Sequence, residues 1–281
     1  MPNQSIAPTF GYIKTKPWLA NDFVVPKEVL SFTGMLSYQE KRMLYYLTLE
    51  WYSGQGAIAD MGCFLGGSTI CFAAALRQRG FTQPVIHSYD LFKLGEFERQ
   101  KYFPDTPPND LRTRAIFDEN LRDYLDLINV HDGDVLDFPW SGGPIELLFI
   151  DIAKSYKVFD YILLHYFPSL TPMKSLLVMQ DYLWGTGGPW HHVVMEKLSE
   201  YFSYQFDTEI ASVVFRLEKD IPRHVLEQCL WITISPEEKI RLMDSAIEKL
   251  DTPQKKAYLM ESKQLLVDGK DAFWGMHYHK L

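Results

Sequence analysis

The sequence predicts an α/β protein built on a Rossmann-like, doubly wound and mostly parallel sheet, and three observations predict it. Short apolar runs alternate with helical segments along residues 36–218. Runs at 57–60, 84–90, 145–151 and 175–181 each end on an acid: Asp60, Asp90, Asp151 and Asp181. The first of them passes straight into glycines, in Asp60-Met61-Gly62-Cys63-Phe64-Leu65-Gly66-Gly67-Ser68-Thr69, and then into an apolar helix. In such sheets ligands bind beyond the carboxyl ends of the strands, where these acids fall.

Residues 1–35 read as an arm or lid, because Pro8, Pro17 and Pro26 interrupt any long helix and Trp18 supplies an anchor. Ser37 followed by Glu40 has the pattern of a capping box, so a helix starts there and runs to about Ser53. Gly80 ends the helix behind the glycine turn. Residues 91–111, with Pro104, Pro107 and Pro108, read as an excursion loop, and a helix follows at 112–125. A third strand at 127–130 leads into His131-Asp132-Gly133-Asp134. Helices are expected at 156–167, stopped by Pro168, and at 190–202. The runs 204–209 and 211–218 lie close enough to pair as an antiparallel hairpin at the sheet edge. Residues 220–281 read as a helical extension, with Ser235-Pro236-Glu237-Glu238 a helix start. The expected division is therefore an arm at 1–35, a ligand-binding domain at 36–219 and an extension at 220–281.

The formal net charge of −8 argues against a nucleic-acid partner. Cys63, Cys71 and Cys229 have no metal-type spacing, and their odd number suits reduced thiols in the cytoplasm. No secretory pattern opens the sequence, and no apolar run is long enough to span a membrane. The helical extension makes a homodimer an expectation as well.

A dinucleotide fingerprint would space its glycines G-x-G-x-x-G, with an acid about 20 residues later. Here the pattern is acid-x-Gly-x-x-x-Gly, Asp60 to Gly66, with the acid first. That motif, with Gly67-Ser68-Thr69 behind it and Gly34-Met35-Leu36-Ser37 and Glu40 ahead of it, resembles the class I S-adenosylmethionine-dependent methyltransferases. Within them the chain is similar to the macrocin-type small-molecule O-methyltransferase family. The resemblance implies S-adenosylmethionine as cofactor, with the backbone from Gly62 to Gly66 close to it. The N–H groups at Ser68 and Thr69 would face its carboxylate, and Asp60 would compensate its ammonium, through water. Asp90 would accept from both ribose hydroxyls. Gly133-Asp134 resembles the adenine-binding turn.

Ile150-Asp151-Ile152-Ala153-Lys154-Ser155-Tyr156 resembles the family segment I-D-G-x-H-S-Y, and Val178-Met179-Gln180-Asp181-Tyr182 its later V-x-D-D-Y. In metal-dependent members, acids at these places hold Mg²⁺ against the substrate oxygens, which sets Asp151, Gln180 and Asp181 as the metal candidates. Two departures weigh towards a metal-free site: Lys154 stands where the family has His, and Gln180 replaces an acid. Lys154 then has two alternative roles. It pairs as a cation with Asp151 and Asp181, or its pKa is depressed and it deprotonates the substrate. Of the pair His191 and His192, one is expected to face outward, and His191 is the candidate general base. Trp18, Phe92, Phe97 and Tyr102 are candidate lid aromatics. His277 and His279 read as part of a packed or frayed tail.

The reading is a methyltransferase acting on a hydroxyl of a small molecule, sugar-containing or a secondary metabolite. Two alternatives keep the cofactor pocket. One is a displacement or elimination at the sulfonium; the other is a silent cofactor-binding module.

Overall fold

Strands form where the apolar runs lie, and helices occupy most of the connections between them. In the computed structural model, which describes residues 10–105, 112–184, 188–209 and 211–270, β1 (Ala57–Met61), β2 (Ile86–Asp90), β3 (Ile128–Asp132), β4 (Ile145–Ile150), β5 (Leu176–Met179), β6 (Phe202–Asp207) and β7 (Val213–Leu217) make one seven-stranded sheet. Its order is β3-β2-β1-β4-β5-β7-β6. This is the expected architecture, antiparallel hairpin included. Every residue of β1, β4 and β5 is buried, as expected of strands covered on both faces. By its internal contacts the chain divides into two units, Met1–Phe138 and Pro139–Leu281.

In the first unit β3, β2 and β1 run parallel, with Asp60 opposite Ser88 and Asp90 opposite Asp132. The helix Thr69–Gln78 returns the chain from β1 to β2. The helix Tyr38–Tyr46 starts on a complete capping box: Ser37 Oγ accepts from Glu40 N, and Glu40 Oε2 accepts from Ser37 N. It ends in a wider turn, Leu47–Trp51, closed by Tyr52 N donating to Leu47 O. Lys41 and Arg42 of this helix are buried and hold the N-terminal arm. Lys41 Nζ donates to the carbonyls of Leu30 and Phe32. Arg42 donates to those of Trp18, Ala20 and Phe23. Five carbonyls without ladder partners are thereby satisfied.

The structure corrects three expectations here. Trp18 is a core residue, 1% exposed against Tyr46, and not a lid aromatic. Phe92 is likewise buried, while Phe97 is exposed. The 91–111 excursion contains a helix, Glu96–Tyr102; its Pro107 and Pro108 lie outside the described residues.

In the second unit β4 and β5 are parallel, β7 pairs antiparallel with β5, and β6 pairs antiparallel with β7. The expected helix at 156–167 is Tyr156–His165, capped by Ser155. In the extension, helices occupy Arg223–Gln228, Pro236–Glu248 and Pro253–Val267. The last is fixed to β6 by a buried ion pair, Lys255 Nζ to Asp207 Oδ2 at 2.6 Å. Residues 185–187, His277 and His279 lie outside the described residues. Among the described residues no helix is long and apolar enough to cross a membrane.

Candidate active site

The glycine turn of the first unit is built around two buried acids. Asp60, at 0% exposure, spends its carboxylate on hydroxyl donors. Ser68 Oγ donates to Oδ1 at 2.7 Å, Thr69 Oγ1 to Oδ2 at 2.5 Å, and Ser88 Oγ stands 3.5 Å from Oδ2. Burial pushes the Asp60 pKa up to about 6, and the three hydroxyls hold it from rising further. Ser68 and Thr69 therefore serve Asp60 with their side chains, which anchors the start of the helix Thr69–Gln78 to the end of β1. In the first turn of that helix Ile70 N donates to Gly66 O at 2.9 Å and Cys71 N to Ser68 O at 3.0 Å.

Asp90 ties the rest of this corner together. Its Oδ2 accepts from Phe64 N of the glycine turn at 2.8 Å, and its Oδ1 accepts from Phe92 N at 2.7 Å. Its main-chain carbonyl accepts from Gly133 N at 3.0 Å. Burial raises the Asp90 pKa, and the two backbone donors oppose the rise. Gly62 N donates to Tyr89 O at 2.8 Å, so the turn is also fixed to β2. Asp134 caps the short turn Val135–Asp137 by accepting from Leu136 N at 3.0 Å and is exposed.

Asp60, Asp90, Gly133 and Asp134 are thus brought to the carboxyl ends of β1, β2 and β3. An acid with both oxygens already engaged still has lone pairs for hydroxyl donors. Asp60 has no exposed surface, which leaves it a structural hub of the turn. A Cβ on Gly66, whose φ is 102°, would stand 2.8 Å from Leu121 Cδ1. Phe64, between the glycines, itself takes a φ of 49°. These features fit a nucleoside ligand carrying ribose hydroxyls. Tyr102, a candidate lid aromatic from the sequence, packs into this corner, a position that the sequence does not specify. Its ring lies 5.4 Å from that of Phe64, and its buried hydroxyl has no hydrogen-bond partner. Ser88 was missed, although its place two residues before Asp90 puts both on one face of β2.

The second unit brings Asp151, Lys154 and Asp181 together at the ends of β4 and β5. Lys154 Nζ donates to Asp151 Oδ1 at 2.7 Å and to Asp181 Oδ2 at 2.5 Å. The three side chains are only 29%, 16% and 14% exposed, in the order Lys154, Asp151, Asp181. Burial works against the charged amine, but the two carboxylates outweigh it and hold the Lys154 pKa above the ordinary lysine value. Of its two alternative roles, this geometry is that of a cation. A base would need the opposite shift. Asp181 takes a φ of 65°, a left-handed conformation that Asp tolerates better than most residues. Lys154 N closes a tight turn on Ile152 O at 2.7 Å.

The residues present do not fit a Mg²⁺ ion. Such an ion needs oxygen ligands at about 2.0–2.1 Å, and an ammonium already sits against both candidate carboxylates. Gln180 adds no charge. Its Oε1 is buried without a hydrogen-bond partner. Among the described residues no group of three or more His, Cys, Asp or Glu side chains could hold a metal.

The histidine pair is a correction. Neither ring faces outward: His191 is 2% and His192 0% exposed, because the helix Pro189–Lys197 is buried on all sides near its start. His191 Nε2 lies 3.2 Å from Ala153 O, and Trp190 Nε1 donates to the same carbonyl at 3.0 Å. Burial holds the His191 pKa far below its usual value and brings His192 down to about 4. His191 sits as a neutral ring that positions the loop carrying Lys154, a poor place for a general base.

Residues 59–182 match the family model for a methyltransferase domain. No curated protein matches the chain. Among solved structures, the O-methyltransferase NovP is similar at 15% identity and a TM-score of 0.51, over 66% of this chain and 82% of that one. A putative rRNA methylase from Clostridium thermocellum has 13% identity and a TM-score of 0.47, over 68% and 100% of the two chains. The apo form of CalS11, a TDP-rhamnose 3'-O-methyltransferase of calicheamicin biosynthesis, has 17% and 0.45, over 74% and 92%. Of the three, only the NovP likeness bears on the fold. Residues 59–182 of this chain therefore match a methyltransferase domain, and the sheet that carries them shares the fold of the NovP structure.

Proposed function

We propose that this enzyme transfers a methyl group from S-adenosylmethionine to an oxygen of a small molecule, sugar-containing or a secondary metabolite. The observation that carries the reading is the Asp90 corner, where one carboxylate at the end of β2 accepts from Phe64 N of the glycine turn and from Phe92 N. Asp90 offers its remaining lone pairs to the ribose hydroxyls, and Gly62 to Gly66 the close backbone approach. The first-turn N–H groups at Ser68 and Thr69 face the methionyl carboxylate, and Asp134 accepts from the adenine amine. Asp60 acts at one remove, by holding Ser68 and Thr69.

Bound S-adenosylmethionine supplies a methyl made electrophilic by its sulfonium. The chain's part is to align the acceptor and exclude water. Asp151 and Asp181 are the carboxylates proposed to take the acceptor's hydroxyl proton as its oxygen attacks. Lys154 holds them in place, and His191 steadies the loop through Ala153. The net charge of −8 favours a small molecule over nucleic acid.

The test is product analysis with methyl-labelled S-adenosylmethionine and a panel of nucleotide sugars and phenols. The expected result is S-adenosylhomocysteine and a labelled methyl ether. Methylthioadenosine as product, or label only on nucleic acid, contradicts the reading.

A further inference from the structure

The acids at the ends of β4 and β5 enclose a cation that the chain itself supplies. We propose that the Lys154 ammonium is the permanent replacement for a divalent ion in this site, so that the enzyme needs no metal and excludes one. The proposal deepens the methyl-transfer reading and rests on it only for the site's purpose.

Two independent features lead to it. The first is geometric. One Nζ reaches Asp151 Oδ1 at 2.7 Å and Asp181 Oδ2 at 2.5 Å, although the two acids lie on different strand ends. A metal ion bridging those oxygens would have to displace the ammonium or stand beside it, and like charges at that range repel strongly. The second is charge. With His neutral, the pattern of metal-dependent relatives sets three carboxylates against a divalent ion and leaves one net negative charge. Here Asp151 and Asp181 stand against Lys154, with Gln180 neutral, and one net negative charge again remains. The change to Lys at 154 and the change to Gln at 180 each add one positive charge, and together they replace the two charges of the divalent ion. The left-handed Asp181 keeps its carboxylate on the ammonium, at a backbone conformation few residues adopt.

The consequence is that the carboxylate pair is a latent metal site, closed by one side chain. Mn²⁺ is the probe, titrated calorimetrically into the full-length wild type, Lys154→Ala, and the rebuilt variant Lys154→His/Gln180→Asp. Each protein's thermal melt is recorded alongside. Wild type is expected to show no saturable Mn²⁺ binding up to millimolar concentration. Lys154→Ala should gain one site at least tenfold tighter, and Lys154→His/Gln180→Asp a tighter one still. Adding Asp181→Asn to either should abolish it.

Saturable binding to wild type that Asp181→Asn removes overturns the proposal, and so does a folded pair of variants that gains nothing. Should Lys154→Ala fail to fold, the rebuilt variant and the wild-type titration decide. None of these readouts involves S-adenosylmethionine, so their failure is distinct from failure of the methyltransferase reading. With the acceptor identified, wild-type turnover should be unchanged by EDTA.

Discussion

Each unit of this protein carries a pair of acids at or near its strand ends, and the two pairs are stabilised in opposite ways. Asp60 and Asp90, in the first unit, are held by neutral donors: hydroxyls for one, backbone N–H groups for the other. Burial dominates there, and both pKa values rise. Asp151 and Asp181, in the second unit, are held by a full positive charge. The difference teaches that an acid at a strand end is not one kind of object. Neutral donors make it a structural clamp and an acceptor for hydroxyls, whereas an ammonium makes it half of a charged site.

The comparison breaks most sharply at Asp60. Asp60→Ala should cost about 3 kcal/mol of stability, because the buried hydroxyls of Ser68 and Thr69 lose their acceptor and a cavity remains; denaturant unfolding measures it. A loss below about 1 kcal/mol would mean that the clamp contributes little.

The next effect is a pH dependence. With its folded pKa near 6 and an unfolded value near 3.9, Asp60 binds more proton in the folded state between these limits. Its contribution is fully present below about pH 4 and is lost as pH rises to about 6. The stability of wild type relative to Asp60→Asn should therefore fall by about 2–3 kcal/mol over that window. Asp160, also near 6, and His87 and His192, near 4, titrate in both proteins and cancel in the difference.

Lys154→Met should cost about 2 kcal/mol, less than a fully buried pair because water reaches the site, by leaving two carboxylates without their cation. Asp181→Asn in the same chain should restore part of that loss, which a double-mutant cycle reads. The smallest effect is at Ser88, whose hydroxyl stands 3.5 Å from Asp60. Ser88→Ala should change stability by less than about 0.5 kcal/mol.

Much of this was legible in the sequence because it is local. The capping box at Ser37 and Glu40, the apolar runs ending on acids, and the glycines behind Asp60 each lie within a few residues of one another. What depends on side chains meeting across the fold was not legible. Lys154 reaches Asp181 from 27 positions away, and this pairing was legible only as one of two alternative roles, through the family resemblance. Lys41 and Arg42 are charged residues with nothing in the local sequence to mark them as buried, yet both lie against arm carbonyls from Trp18 to Phe32. Two adjacent histidines should face different directions on a helix, yet the helix Pro189–Lys197 is enclosed, and both are buried. Ser68 and Thr69 looked like anion-binding backbone; their side chains turn out to be committed to Asp60.

The central claim is that the Asp90 corner holds S-adenosylmethionine, and calorimetric titration of S-adenosylhomocysteine into wild type and Asp90→Ala tests it most directly. One saturable site in wild type, weakened at least tenfold (about 1.4 kcal/mol) in a folded Asp90→Ala, is the predicted result. No binding to wild type, or equal binding by both proteins, would contradict it.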